Sequence, residues 1–130
     1  MKKAPTVLAM AAAMAVLSHA APSSSLGKRS TLTLESAKQT AASAMAQVHA
    51  RKAAIAVSVV DDGGHLIYAE RDDGVAYGMV DASLLKARTA ASFGFPAKSL
   101  EDQISQGRTS FLRLPGVLPL EGGIPSSRKV

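Results

Sequence analysis

Between Leu34 and Val48 the apolar residues Leu34, Ala37, Ala41, Met45 and Val48 recur three and four apart, a spacing that gathers them on one side of an α-helix. Thr33 is placed to cap the first turn and Glu35 adds a negative charge to it, both favourable at a helix start. A helix is therefore predicted from about Leu34 to Ala50. Its stripe is mostly alanine, so it is expected to lie close against whatever it covers. The pattern then changes to a short β-branched run, Ala54 to Val60 (AIAVSVV), which predicts a strand. Ile55, Val57 and Val59 point one way and Ala56, Ser58 and Val60 the other. Both sets are apolar or small, so coverage on both faces is expected. Asp61-Asp62-Gly63-Gly64 is turn chemistry and His65–Glu70 (HLIYAE) is the return strand of a hairpin.

Arg71-Asp72-Asp73-Gly74 opens a loop, and Met79 to Phe93 returns to helical spacing with Val80, Leu84, Ala87 and Ala91 on its inner side. Gly94 is its stop and Pro96 prevents continuation. Ser99 begins S-L-E-D, a variant capping box, which predicts a short helix from Leu100 to Gln106 ended by Gly107. The remaining tail, LPGVLPLEGGIPSSRKV, is rich in Pro and Gly. One domain is expected, over 32–130, of α/β (α+β) class.

The first twenty residues follow a different rule. Lys2 and Lys3 precede an apolar run from Val7 to Leu17, and Ser18-His19-Ala20 ends in small residues. The run is shorter than the about 20 residues a bilayer span needs and matches an export signal cleaved after Ala20. A polar, Ser-rich leader over 21–31 is expected to be disordered. Periplasmic or extracellular localisation follows. Loss of Lys2 and Lys3 lowers the net charge from +5 to +3, thirteen Lys and Arg against ten Asp and Glu. That balance, the scattered basic residues and the lack of Trp argue against a nucleic-acid surface. Cysteine is absent, which excludes thiolate catalysis, Cys-ligated metal and covalent C-x-x-C-H haem attachment. A small exported domain without disulfides has to rely on packing or on assembly.

The candidate chemistry is sparse. Asp61 and Asp62 stand at one end of the hairpin and Asp72 and Asp73 at the other, separated by about 20 Å of strand, too far for one acid/base pair. His49 and His65 are candidate metal ligands, although their spacing matches no established pattern, and plain surface histidines are the alternative. No G-x-S-x-G and no G-x-G-x-x-G context is present. Lys86 and Arg88 can hold a carboxylate or a propionate, or serve as solvated helix charges. No catalytic residue is assigned.

Five segments in order form a larger signature: L-T-L-E-S-A at Leu32–Ala37, A-V-S-V-V-D-D-G-G-H-L at Ala56–Leu66, E-R-D-D-G at Glu70–Gly74, K-A-R-T-A-A-S-F-G at Lys86–Gly94 and L-P-L-E-G-G-I-P at Leu118–Pro125. Together they resemble the HbpS/GlcG haem-binding family, to which the C-terminal domain of PduO proteins is also similar. The resemblance implies a profilin-like sandwich, with an antiparallel sheet flanked by helices, and assembly into homo-oligomers. It implies non-covalent haem binding and, for some members, haem degradation. The recurring positions fall on Asp61, Gly64, Arg71, Asp72, Lys86, Phe93, Gly122, Gly123 and Pro125. Arg71, Lys86, Phe93, Gly122 and Gly123 are thereby the candidate cofactor-binding residues, with Arg71 and Lys86 expected at ligand carboxylates. His65 is preferred over His49 as metal ligand because it adjoins the family-like turn. Relatives continue past G-G-I-P with a further strand and helix, which Ser126–Val130 does not resemble; a C-terminally truncated sandwich with an open sheet edge is expected. The function expected is an exported haem-binding protein. The alternatives are an enzyme acting on haem or another small molecule, and a partner-binding module without a ligand.

Overall fold

The structure is a computed structural model that describes residues 31–126; the predicted export signal and nearly all of the leader lie outside these residues. Helix α1 spans Leu34–His49, strand β1 Ala56–Val60, strand β2 Leu66–Arg71, helix α2 Gly78–Phe93 and helix α3 Lys98–Ser105, followed by a 3₁₀ turn at Thr109–Arg113. The mixed α/β class with an antiparallel sheet is as expected, and among the described residues the sheet has two strands. Both strands pack against α1 and α2.

Local chemistry explains most element ends. Thr33 Oγ1 accepts from the Ser36 N–H at 3.2 Å, capping α1. The helix ends without glycine: Lys52 takes the left-handed conformation (φ 58°) and its N–H bonds to the His49 carbonyl at 2.8 Å. Asp61 organises the hairpin turn. Its Oδ1 accepts from the N–H groups of Gly63 (2.9 Å) and His65 (2.8 Å), while its own N–H bonds to the His65 carbonyl. Gly64 has φ 81° and its carbonyl accepts from Arg88 Nε at 2.9 Å, so α2 is tied to the turn.

The strand pairing contains an irregularity absent from the hydrophobic pattern. Val59 pairs with Tyr68 but Val60 pairs with Leu66, leaving Ile67 as an extra residue in β2. The bulge turns consecutive side chains the same way: Ile67 and Tyr68 are both half-buried, between exposed Leu66 and Ala69. The expected coverage of both faces of β1 is partial, since Ala56 is buried and Val57 to Val60 are half-buried.

The core is small and alanine-rich: Ala37, Ala41, Met45, Ala56, Ala90, Ala97 and Leu100. Leu34, expected on the inner stripe of α1, is 51% exposed. On α2 the deeply buried residues are Thr89 and Ala90, whereas Val80, Leu84, Ala87 and Ala91 are half-buried. The reason is the tail, which folds back over the C-terminal half of α2. Thr89 Oγ1 donates to the Leu85 carbonyl and accepts from the Leu118 N–H at 2.9 Å. Ser99 does not cap α3. The helix begins at Lys98, with Ala97 at its N-cap and no side-chain cap bond. The Ala97 N–H instead donates to the Gly123 carbonyl at 2.9 Å, and Glu101 Oε2 accepts from the Glu121 N–H at 2.9 Å.

Gly123 marks the tightest approach. A Cβ there would lie 2.2 Å from the Lys86 carbonyl oxygen, a backbone atom that cannot swing away. Gly123→Ala is therefore expected to destabilise the fold by about 1–3 kcal/mol. Gly78→Ala, with nothing within 4 Å of the added carbon, is expected to be neutral or stabilising by up to about 1 kcal/mol. Urea unfolding midpoints of the two variants measure the difference.

Candidate functional site

The folded-back tail, α2 and β1 enclose a cleft of about 350 Å³. Five consecutive residues line it: Ala54 and Ile55, which lead into β1, and Ala56 to Ser58, the strand's first three. Side chains alternate across a strand, so a wall made of successive residues is the strand's edge and not one of its faces. β2 contributes nothing to the lining, which places the cleft along the edge of β1 away from β2.

Lys86 is the single charged residue of the lining. It is half-buried, and no hydrogen bond or ion pair engages it among the described residues. The position of a Cβ on Gly122 would be 3.7 Å from Lys86 Nζ, so the two tail glycines leave the ammonium group uncovered by side chains. Beside it, Ser58 Oγ and Ser83 Oγ are 2.6 Å apart. Ser83 donates its proton to the Val80 carbonyl at 2.8 Å. Ser58 must then donate to Ser83, which leaves the Ser58 oxygen free to accept. The other walls are apolar, with Val75, Met79, Ala87 and Ile124 among them.

The remaining sequence-derived candidates lie elsewhere. Arg71 is at the base of the hairpin, its Nη1 donating to the Val75 carbonyl at 2.9 Å and its guanidinium 4.5 Å from the centre of the Tyr77 ring. Phe93 ends α2 and meets Phe95, ring centres 5.5 Å apart. Of the five candidate cofactor-binding residues, the cleft thus gathers Lys86, Gly122 and Gly123 and not Arg71 or Phe93.

The two histidines among the described residues, His49 and His65, sit at opposite ends of the hairpin, each beside an aspartate. His49 Nε2 donates to Asp72 Oδ2 at 2.7 Å, and the same oxygen accepts from the Ile55 N–H at 2.8 Å. Ile55 lines the cleft, so this chain of bonds connects His49 to the cleft's rim. His65 Nδ1 lies 3.2 Å from Asp61 Oδ2 at the turn, with its side chain 81% exposed. The His49–Asp72 pair links residues 23 apart in sequence, and no local motif announces it. Among the described residues no group of three or more His, Cys, Asp or Glu could hold a metal ion, and no helix is long and apolar enough to cross a membrane.

An α/β domain with one antiparallel hairpin, two covering helices and an edge cleft places the molecule in a structural class shared with solved proteins. A double mutant of HbpS from Streptomyces reticuli superimposes with a TM-score of 0.73 at 30% identity, covering 96% of this chain and 79% of that one. A second crystal structure, of HbpS, also gives 0.73, at 32% identity over 85% of this chain and 77% of that chain. Protein GlcG of Escherichia coli strain K12 is 41% identical over 71 residues, 55% of this chain and 53% of GlcG, and GlcG of strain O6:H1 matches equally. The chain spans about half the length of these curated relatives. Residues 32–129 match the family described as Haem degrading protein HbpS-like, and the chain belongs to that family.

The aspartate pairs set the acid response. The hydrogen bond from His49, and then that from the Ile55 N–H, hold the Asp72 carboxyl below its ordinary 3.8. The His65 backbone N–H chiefly does the same for Asp61, with the His65 ring and the Gly63 N–H adding to it. A folded-state value below the unfolded one contributes stability above about pH 3.9 that is lost as pH falls through the folded value. Asp72→Asn is expected to be less stable than the parent at pH 7, and to lose less stability than the parent between pH 5 and pH 2. Unfolding midpoints across that range (limits set around the carboxylate titration) measure both effects.

Proposed function

We propose that this chain binds haem non-covalently, outside the cytoplasm, in an assembly of several copies. The observation that carries the reading is Lys86: a half-buried lysine whose ammonium group has no carboxylate partner among the described residues, on an apolar cleft, in a member of the HbpS-like family. Haem asks for an apolar wall, cations for its propionates and a ligand for its iron. The cleft fits the first demand, and Lys86, with room left beside it by Gly122 and Gly123, fits the second. Arg71 keeps guanidinium donors beyond the one given to Val75 and is the candidate for a second propionate. Phe93 supplies apolar surface at the far end of α2.

For the iron, His49 is the better supported of the two histidines. Its Nε2 is held by Asp72, which fixes the tautomer and leaves the Nδ1 lone pair for a metal. His65 offers the same chemistry with a longer bond and far more exposure. Bound haem would supply the redox-active iron, while the protein supplies position and an apolar surround. Assembly is supported by large apolar side chains left exposed, including Leu112, Leu114, Leu120 and Ile124. Export rests on the basic and apolar pattern of the first twenty residues.

Haem degradation is a second reading, favoured by the family's description. Incubation with haem, reductant and oxygen separates the two: ring-opened product identifies the enzyme, an unchanged chromophore the binder. Binding itself is tested by titrating haem and following the Soret band. A saturable shift at micromolar haem is expected, weakened about tenfold or more by Lys86→Ala, the loss of one charge-assisted contact. His49→Ala is expected to move the Soret maximum and His65→Ala to leave it in place. No saturable shift in the parent chain refutes the proposal.

A further inference from the structure

The chain carries the same three residues in the same order at two places. Asp61-Asp62-Gly63 lies in the hairpin turn, and Asp72-Asp73-Gly74 in the loop between β2 and α2. The side-chain carboxyl of an aspartate that precedes glycine is open to attack by the glycine's own amide nitrogen. No side chain screens that nitrogen, and the glycine backbone rotates freely. Asp62, Gly63, Asp73 and Gly74 are all exposed, so accessibility does not separate the two places. Hydrogen bonding and crowding do.

At the hairpin the nucleophile is engaged. The Gly63 N–H donates to Asp61 Oδ1 at 2.9 Å, and the same oxygen takes the His65 N–H at 2.8 Å. A Cβ on Gly63 would lie 2.9 Å from His65 Nδ1 and 3.3 Å from Asp61 Oδ1, so the turn is closely packed around this glycine. In the loop the preceding aspartate is occupied elsewhere: Asp72 Oδ2 takes the Ile55 N–H and the His49 ring. No hydrogen bond engages the Gly74 N–H among the described residues, and a Cβ on Gly74 would meet nothing within 4 Å. Gly74, at φ 82°, is the third residue of a turn closed by the Val75 N–H on the Asp72 carbonyl. That bond is 3.3 Å, long for an amide pair, so the loop opens at lower cost than the hairpin tip.

We propose that Asp73 is a site of isoaspartate formation and that Asp61 protects Asp62 from the same reaction. The Gly74 nitrogen bonds to Asp73 Cγ and gives up its proton. The Cγ–OH bond of the protonated carboxyl breaks, and one water leaves behind a five-membered succinimide. Water then adds to one of the two ring carbonyls. Breaking the new N–Cγ bond restores aspartate. Breaking the original bond between the nitrogen and the Asp73 carbonyl carbon leaves the chain running through Cγ, with a free α-carboxylate beside it. One water is lost and one regained, and nothing is oxidised or reduced. The product inserts a methylene between Asp72, which holds Ile55 and His49, and Val75, whose carbonyl holds Arg71. Its α-carboxylate is the group that an isoaspartate-specific carboxyl methyltransferase recognises. The proposal does not rest on haem binding.

The test ages the full chain for weeks in mildly acidic buffer, with circular dichroism confirming that it stays folded. Trypsin then places the two aspartates in separate peptides, 53–71 and 72–86, and electron-transfer fragmentation counts isoaspartate at each. The chain has no asparagine, so deamidation adds nothing to the count. Isoaspartate is expected at Asp73 about tenfold or more above Asp62, the factor set by one hydrogen bond to a carboxylate. The difference is expected to vanish when the chain is aged unfolded in urea. Asp61→Ala, which frees the Gly63 N–H, is expected to raise isoaspartate at Asp62, whereas Asp61→Asn keeps an oxygen there and leaves it low. Asp73→Glu, which would have to close a six-membered ring, is expected to remove the signal at that position. Equal amounts at the two sites of the folded chain, more at Asp62, none at Asp73, or a ratio that persists in urea overturns the proposal.

Discussion

Close approach between backbones is the constraint on which the rest of this molecule depends. Five of the seven buried core residues are alanines, and the tail passes over α2 where only a glycine fits against the Lys86 carbonyl. Alanine and glycine bury little apolar surface, so the hydrophobic term per residue is small. Position is then fixed by a few hydrogen bonds between elements distant in sequence. Thr89 holds Leu118, Gly123 holds Ala97, Glu101 holds Glu121, Arg88 holds Gly64 and Asp72 holds both Ile55 and His49. All but the His49–Asp72 bond, which joins two side chains, tie a backbone group to a neighbour that would otherwise slide over a smooth surface of methyl groups.

Helix α2 concentrates this work. Within seven residues it presents Ser83 to the strand, Lys86 to the cleft, Arg88 to the hairpin turn and Thr89 to the tail. Its central turns are therefore shared between cleft-facing and architectural residues. The expected buried stripe of Leu84, Ala87 and Ala91 understated this, because hydrophobic spacing sees methyl groups and not a threonine that is buried as a hydrogen-bond post.

What was legible in the chain is what short-range chemistry dictates. Thr33 as cap, Asp61 as turn organiser, Gly94 as left-handed stop and the two long helices all follow from neighbours within four residues. The Ile67 bulge was not legible, since it is a matter of register between two strands. Nor was the start of α3: the expected Ser99 cap lost to a carbonyl from Gly123, more than twenty residues downstream. Lys86 could be singled out from the ordered family motif, but only the folded chain shows that it lacks a carboxylate partner among the described residues and lies next to Gly122 and Gly123. His49 was visible as a residue type and invisible as a partner of Asp72, because nothing local connects positions 23 apart.

The bulge at Ile67 has a mechanical consequence. An inserted residue increases the coiling of a two-stranded ribbon locally and bends it, so the tip at Asp61–His65 and the base at Ile55–Asp72 need not share one plane. The tip's orientation is then taken from α2 through the Arg88 guanidinium, and the base's from α1 through the His49 ring. The ribbon thus behaves as a torsional coupling between two helices, with its pivot one residue from the tyrosine whose hydroxyl grips Glu70.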